Sequence, residues 1–199
     1  FDRHLTATKA SDVEIDPGAP TPEADAALRV LPGVTATSYW TQVGAFFLDE
    51  DGAFDPDLAG MIALTTDGRY LDQDRVAVRA GRLLDRDRPD EVMLNQYLAE
   101  GIEERTGKQI RIGTQLDLGL APISEEGAPA GEAPTQVQRV KVVGIMALPE
   151  DVVGSELDQV PKMFVSPALQ PEGGYEAHPE YLGYAWHGLQ VDGGEAAVD

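Results

Sequence analysis

The sequence predicts an α+β fold: a mixed sheet with few helices. Three observations predict it. Short runs rich in β-branched and aromatic residues recur along the chain, among them VTATSYW (34–40), MIALTT (61–66), EVMLN (91–95), QVQRVKVVGIMAL (136–148) and KMFVS (162–166). Only two or three stretches carry helical patterning, too few to cross over between parallel strands throughout. No repeat at a fixed period reorganises the pattern.

Residues 1–21 are polar, with Pro17, Gly18 and Pro20, and read as a lead-in or frayed terminus. Thr21 then caps a helix whose first position is Pro22. Ala26, Ala27, Val30 and Leu31 are the residues available for its apolar face, and Pro32-Gly33 stops it. VTATSYW follows as a strand, and QVGAFFL (42–48) continues it across a bend at Gly44. Residues 49–57 form a turn-rich acidic loop, and MIALTT is a strand ended by Asp67-Gly68. Residues 70–74 read as a short helical turn.

RVAVRAG (75–81) leads to Gly81-Arg82, and EVMLN is a short strand. A helix runs from Gln96 to Thr106. Leu94, Leu98 and Ile102 are spaced four apart and line one face, and Gly107 stands where a left-handed cap belongs. KQIRIGTQLDLGL (108–120) alternates as a half-buried hairpin turning at Gly113, and 121–135 is a Pro/Gly/Ala/Glu-rich loop. The 136–148 run is the longest strand. Residues 149–160 read as loop, KMFVS as a strand, Ser166-Pro167 as the start of a short helix, 170–181 as loop, and AWHGLQVD (185–192) as the last strand.

The 199 residues suffice for one large domain or two lobes, and a chain of this length buries roughly 70% of its unfolded surface without staples. Hydrophobic residues at 42% and charged residues at 25% are globular values. Fifteen basic against 35 acidic residues leave a net charge of −20, which disfavours nucleic acid and anionic lipid headgroups as partners. The absence of cysteine excludes disulfides, thiolate metal sites and a Cys nucleophile, and leaves the compartment open. The chain opens at Phe1 and stops in GGEAAVD, which resembles the first turn of a helix cut short, so a fragment of a longer chain is expected.

No catalytic residue is expected. None of Ser11, Ser38, Ser124, Ser155 and Ser166 lies in a nucleophile motif, and no phosphate-cradling or zinc-binding helix motif occurs. His4, His178 and His187 lack the spacing of a metal site, and no cofactor is expected. Counting from Asp49, Gly52 is fourth and Gly60 twelfth, which does not match a calcium loop's glycine at six and glutamate at twelve. Asp85, Asp87, Asp90 and Glu91 alternate with Arg86 and Arg88, as expected of surface self-pairing. Tyr39, Trp40, Phe46, Phe47 and Phe54 read mainly as core. Adjacent Phe46 and Phe47 point to opposite faces of a strand, however, so one of them is expected to be exposed near the acidic loop. Trp40, Phe46, Phe47 and Phe54 are therefore the candidate partner-contact residues.

LPGV, then VRAGRLL, DEVMLNQYLAEGI, TGKQIRIGTQLDL, VQRVKVVGIMAL and PKMFVSPAL occur in one order over roughly residues 22–199. That order resembles the extracytoplasmic core domain of MacB-type, FtsX-like ABC-transporter permeases. The resemblance implies a domain on the outer side of the cell membrane, held between two membrane helices. It implies a porter-like lobe from 22–75 and 161–199 and an inserted, mostly-β lobe from 76–160. It further implies a cytoplasmic ATPase subunit or domain that hydrolyses ATP, a second permease copy, and an extracellular protein, lipid or peptide as partner. Gly81, Arg82, Leu94, Leu98, Ile102 and Gly107 then serve as structural residues, with Arg82 at a corner. The alternative is a stand-alone cell-surface module that captures a solute or peptide in an apolar pocket.

Overall fold

The computed structural model describes residues 8–16, 22–49, 51–55, 58, 61–149 and 160–194. Its strands are β1 (Val13–Ile15), β2 (Val34–Val43), β3 (Ala45–Phe47), β4 (Ile62–Thr66), β5 (Ala77–Gly81), β6 (Glu91–Asn95), β7 (Gln115–Leu120), β8 (Gln136–Ala147), β9 (Lys162–Val165) and β10 (Leu182–Val191). The described helices are α1 (Pro22–Arg29) and α2 (Gln96–Thr106), with a 3₁₀ turn at Pro179–Tyr181.

All ten strands join one mixed sheet in the order β1-β10-β2-β4-β9-β6-β8-β7-β3, with β5 attached to β8. The β4–β9 and β6–β8 pairs are parallel and the others antiparallel. Because β3 is the continuation of β2 past Gly44, the path from β2 round to β3 returns to its own start. The sheet therefore curls into a ring, from which β1 and β10 extend along β2. Gly44 makes the closure feasible: its N–H donates to Tyr181 (2.8 Å), its carbonyl accepts from Ala121 (3.0 Å), and a Cβ there would lie 1.8 Å from the Ala121 carbonyl oxygen.

The period-two pattern divides the apolar residues between two cores. Ala63, Val92, Leu94, Val142, Met163 and Val165 face one core, into which α2 inserts Leu98, Ala99 and Ile102. Their neighbours Leu64, Met93, Val143 and Phe164 face the second core, with Tyr70, Leu71, Leu84, Met146 and Leu148. β6 is buried at every position because both of its faces are covered.

α2 starts and stops where its caps dictate. The Asn95 side chain accepts from the Leu98 N–H at 2.9 Å, and Gly107 closes the helix in the left-handed region at φ 66°. Leu94 shares the core with Leu98 and Ile102, but it belongs to β6 and not to the helix face.

Several expectations are corrected. Val13–Ile15, within the supposed polar lead-in, is an edge strand on β10. Ala26, Ala27, Val30 and Leu31 are exposed, because α1 turns Asp25 and Leu28 toward the sheet instead. Residues 70–74 are not helical: Tyr70 and Asp74 take left-handed φ values of 67° and 48°, and Arg69 bridges to Gln73. Residues 108–114 are a turn that feeds β7, whose ladder partners are β3 and β8. Ser166 does accept from the Ala168 N–H at 3.1 Å, but one turn follows and no helix. Pro171 disfavours helical backbone at the residue before it. Thr21, His4, Asp57, Gly60 and the GGEAAVD end from 195 lie outside the described residues, as does most of 149–160.

Candidate functional site

The first and last strands are hydrogen-bonded to one another. β1 runs antiparallel to β10, with Val13 opposite Leu189 and Ile15 opposite His187. The Asp12 N–H donates to the Leu189 carbonyl (2.8 Å), and the Asp12 carboxylate accepts from the Val191 N–H (2.9 Å). The Asp192 N–H reaches the Gly33 carbonyl at 2.7 Å, tying in the start of β2. Both ends of the described chain thus leave the sheet at the same corner.

A polar clasp fastens the incoming segment. Asp74 accepts from the Ser11 N–H (2.7 Å) and from the Ser11 hydroxyl (2.5 Å), and Gln73 Nε2 donates to the same hydroxyl at 2.8 Å. Buried Arg69 ion-pairs with Asp74 at 3.2 Å and with Glu14 of β1. The clasp has a local backbone cost: Lys9, Tyr70 and Asp74 are the described non-glycine residues at positive φ, and the Asp74 N–H bonds the Lys9 carbonyl. Gly188 is required beneath it, since a Cβ there would lie 2.2 Å from Ser11 Oγ.

On β10, His187 is only 1% exposed, lies tilted against the Tyr39 ring at 5.3 Å between centroids, and has no hydrogen-bond partner for either ring nitrogen. Burial holds its pKa below the ordinary histidine value. Asp25 of α1, 3.9 Å from Nε2, opposes that effect, while Arg69 and Arg29 add to it. Nearby, burial raises the Asp67 carboxyl pKa, although Asp67 accepts from the Tyr39 N–H at 2.7 Å. Burial likewise pushes the Tyr175 phenol well above its usual range, with its hydroxyl on the Leu169 carbonyl at 2.9 Å.

At the far end of the long strands, Phe46 and Phe47 are both buried, contrary to the expectation that one is exposed. Phe47 enters the ring core, while the opposite face of β3 is covered by Phe54, edge-on to Phe46 at 5.5 Å. Trp40 is half-buried and edge-on to Tyr184 at 5.6 Å. The four proposed contact residues are not brought together: Trp40 packs against the second core, and the three phenylalanines surround β3. The acidic loop folds on itself, with Asp49 accepting from the Asp51 and Ala53 N–H groups, both at 2.9 Å. Asp55 is instead buried and ion-paired to Arg105 at 2.6 Å, bordering a cleft of about 700 Å³ floored by Phe47, Ile102, Ile110 and Leu116.

Gly81 and Arg82 form a corner. Gly81 has φ 75°, and a Cβ on it would lie 2.1 Å from the Val143 carbonyl oxygen. Arg82 forks onto Glu91, which is buried rather than part of a surface charge cluster; Arg88 pairs with Asp90, and Arg86 reaches Asp72. Among the described residues no group of three or more His, Asp or Glu is placed to hold a metal ion.

No protein-family model and no curated protein matches the chain. Solved structures do. This chain is similar to extracytoplasmic domains of ABC-type transporter permeases. The extracellular domain of the noncanonic ABC-type transporter YknZ from Gram-positive bacteria aligns over 96% of this chain and 79% of its own, at 15% identity and a TM-score of 0.49. A permease domain from Porphyromonas gingivalis aligns over 88% and 69%, at 16% identity and a TM-score of 0.44. The periplasmic region of MacB from Actinobacillus actinomycetemcomitans aligns over 90% and 73%, at 10% identity and a TM-score of 0.44. No described helix is long and apolar enough to cross a membrane.

Sequence reasoning missed the clasp and the buried histidine. Ser11, Glu14, Arg69 and Asp74 are ordinary polar residues in turn-like stretches, and no short-range signal links positions some sixty residues apart. His187 carried one usable hint, its place beside Trp186 in a strand-like run.

Proposed function

We propose that the chain is the non-catalytic, extracytoplasmic domain of an ABC-transporter permease, relaying motion of membrane helices outward. One observation carries this reading: β1 and β10 are adjacent, hydrogen-bonded strands, so segments continuing from both ends depart side by side. A domain suspended between two membrane helices needs that arrangement. β2 and β10 have ten residues each, about 33 Å of extended chain at the usual rise. They run from that corner to the ring and the 121–135 loop, where Gln42 Nε2 bonds the Gly127 carbonyl at 3.3 Å. Packed strands transmit displacement with little loss because protein interiors are barely compressible.

In this reading 22–75 with 161–199 form the porter-like lobe and 76–160 the inserted lobe, joined through the β9–β6 and β3–β7 ladders. ATP is hydrolysed by a separate cytoplasmic subunit or domain. A second permease copy completes the transporter, and a substrate or extracellular partner is released or gated at the far lobe.

These 199 residues contain no cysteine, so single cysteines placed in them, in a parent protein freed of any others, permit a direct test. Single cysteines at Asp12 and Glu126 of the membrane-embedded protein should both react with an impermeant maleimide on intact cells. Spin labels on the same two sites should show a distance distribution that changes on ATP addition. Protection of both sites, or a distribution indifferent to ATP, defeats the proposal.

A further inference from the structure

β5 stands apart from the other described strands: every one of its residues is exposed. It pairs with β8 alone, off the main path of the sheet, and no turn or loop hydrogen bond reaches its backbone. Its outer edge therefore presents backbone N–H and C=O groups open to another strand. The charge around this edge opposes that of the whole molecule. Residues 75–84, RVAVRAGRLL, carry three arginines and no carboxylate in a chain of net charge −20, and with Arg82 paired to Glu91 two of them, Arg75 and Arg79, remain for a partner. The Arg79 side chain makes no hydrogen bond or ion pair, and the Arg75 guanidinium donates to the Asp72 carbonyl, at 3.2 Å, with no carboxylate partner. Beside them Val78, Leu83 and Ile112 are 38%, 39% and 46% exposed. The Ile112 δ-methyl lies 2.7 Å from the point a Cβ on Gly81 would occupy, so it sits directly against the strand.

We propose that the outer edge of β5 docks an extended acidic peptide as an additional strand. Backbone hydrogen bonds supply its affinity, Arg75 and Arg79 select its carboxylates, and Val78, Leu83 and Ile112 receive an apolar side chain. A second copy of this chain is the wrong partner. Pairing β5 with β5 sets arginines against arginines, and like charges across a ladder destabilise it. Arg79 and the bulge between Val78 and Ala80 are the devices with which edge strands resist self-association. Toward a strand of opposite sign the same arginine becomes a contact. The proposal does not rest on the permease reading and is tested on the 199-residue chain by itself.

The probe is a dye-labelled peptide of sequence VEVDVEVE, blocked at both ends, with VKVKVKVK as its counterpart. Anisotropy should show saturable binding of the acidic peptide only, weakening as salt rises from about 50 to about 200 mM. Amide exchange should slow at 77–81. Arg79→Glu, with an unchanged melting temperature, should bind at least about tenfold more weakly because repulsion replaces attraction. Arg79→Lys should retain binding, and Arg75→Glu is a second reversal should Arg79→Glu misfold. Absence of saturable binding, equal binding of the lysine peptide, protection elsewhere than 77–81, or indifference to the charge reversals overturns the proposal.

Discussion

The Arg82 guanidinium holds both carboxylate oxygens of Glu91, at 2.7 Å for Nη1–Oε2 and 2.5 Å for Nη2–Oε1. The Asp85 N–H adds a third bond to Oε2 at 3.0 Å, so a buried carboxylate fixes the turn leaving β5 against the start of β6.

The Arg82 hydrogen bond holds the Glu91 carboxyl below the usual glutamate range, against the effect of burial. A depressed folded-state pKa stabilises the protein above the unfolded value, and that contribution is lost as pH falls through the folded one. Glu91→Gln should cost about 1–3 kcal/mol at neutral pH, toward the low end because Arg82 is half in water. The offset between the denaturant midpoints of the two proteins should begin to shrink at about pH 4.3, the unfolded glutamate value, and close only below the depressed folded one. A parallel offset down to the most acidic pH would contradict this account.

His187 predicts a loss of stability on acidification as well, but in a higher pH window. Its folded pKa is lowered, chiefly by burial, so the unfolded chain takes up the proton more readily. Stability should fall as pH drops below about 6.5, the unfolded histidine value. His187→Phe keeps a ring against Tyr39 and removes the titration. Melting curves from neutral to mildly acidic pH should be flatter for the variant than for the parent.

Gly44 and Gly107 separate two reasons for glycine. Alanine at Gly44 drives a methyl into the Ala121 carbonyl and should cost well over about 1 kcal/mol by forcing apart the closure of the ring. Alanine at Gly107 meets no atom within 4 Å and incurs only the left-handed backbone penalty, about 1–2 kcal/mol. Calorimetry of both variants should rank Gly44→Ala as the more damaging.

Leu98 should be the most sensitive site on α2. It is 1% exposed in the ring core, so Leu98→Ala should cost about 2–5 kcal/mol. Leu98→Asp should abolish cooperative unfolding, while Leu98→Met should stay within about 1.5 kcal/mol of the parent. A Leu98→Asp protein that melts like its parent would contradict the packing of α2.

What could be read from the sequence followed from local rules. Asn95 and Gly107 bound α2, and runs rich in β-branched and apolar residues mark β8 and β9, because capping and periodicity act over a few residues. β1 could not be read: VEI has no strand signal of its own and is ordered by β10, over 170 residues away. α1 was turned the wrong way because Asp25 points inward toward buried His187, a partner that helical periodicity cannot supply. The expectation that one of Phe46 and Phe47 is exposed fails for a similar reason, since the face that Phe46 occupies is covered by Phe54, delivered by the fold-back of the acidic loop. The Arg82 corner was visible as a Gly-Arg turn, but its anchor was hidden: Glu91 looked like one more surface acid.

The β1–β10 ladder has a topological consequence. Since residues 8–12 and 189–194 already lie against one another, a short linker across them would turn the polypeptide into a nearly strain-free circle. Reopening that circle within 121–135 would sever no ladder of the ten-stranded sheet, so a circularly permuted protein should reach the same sheet from a different starting residue.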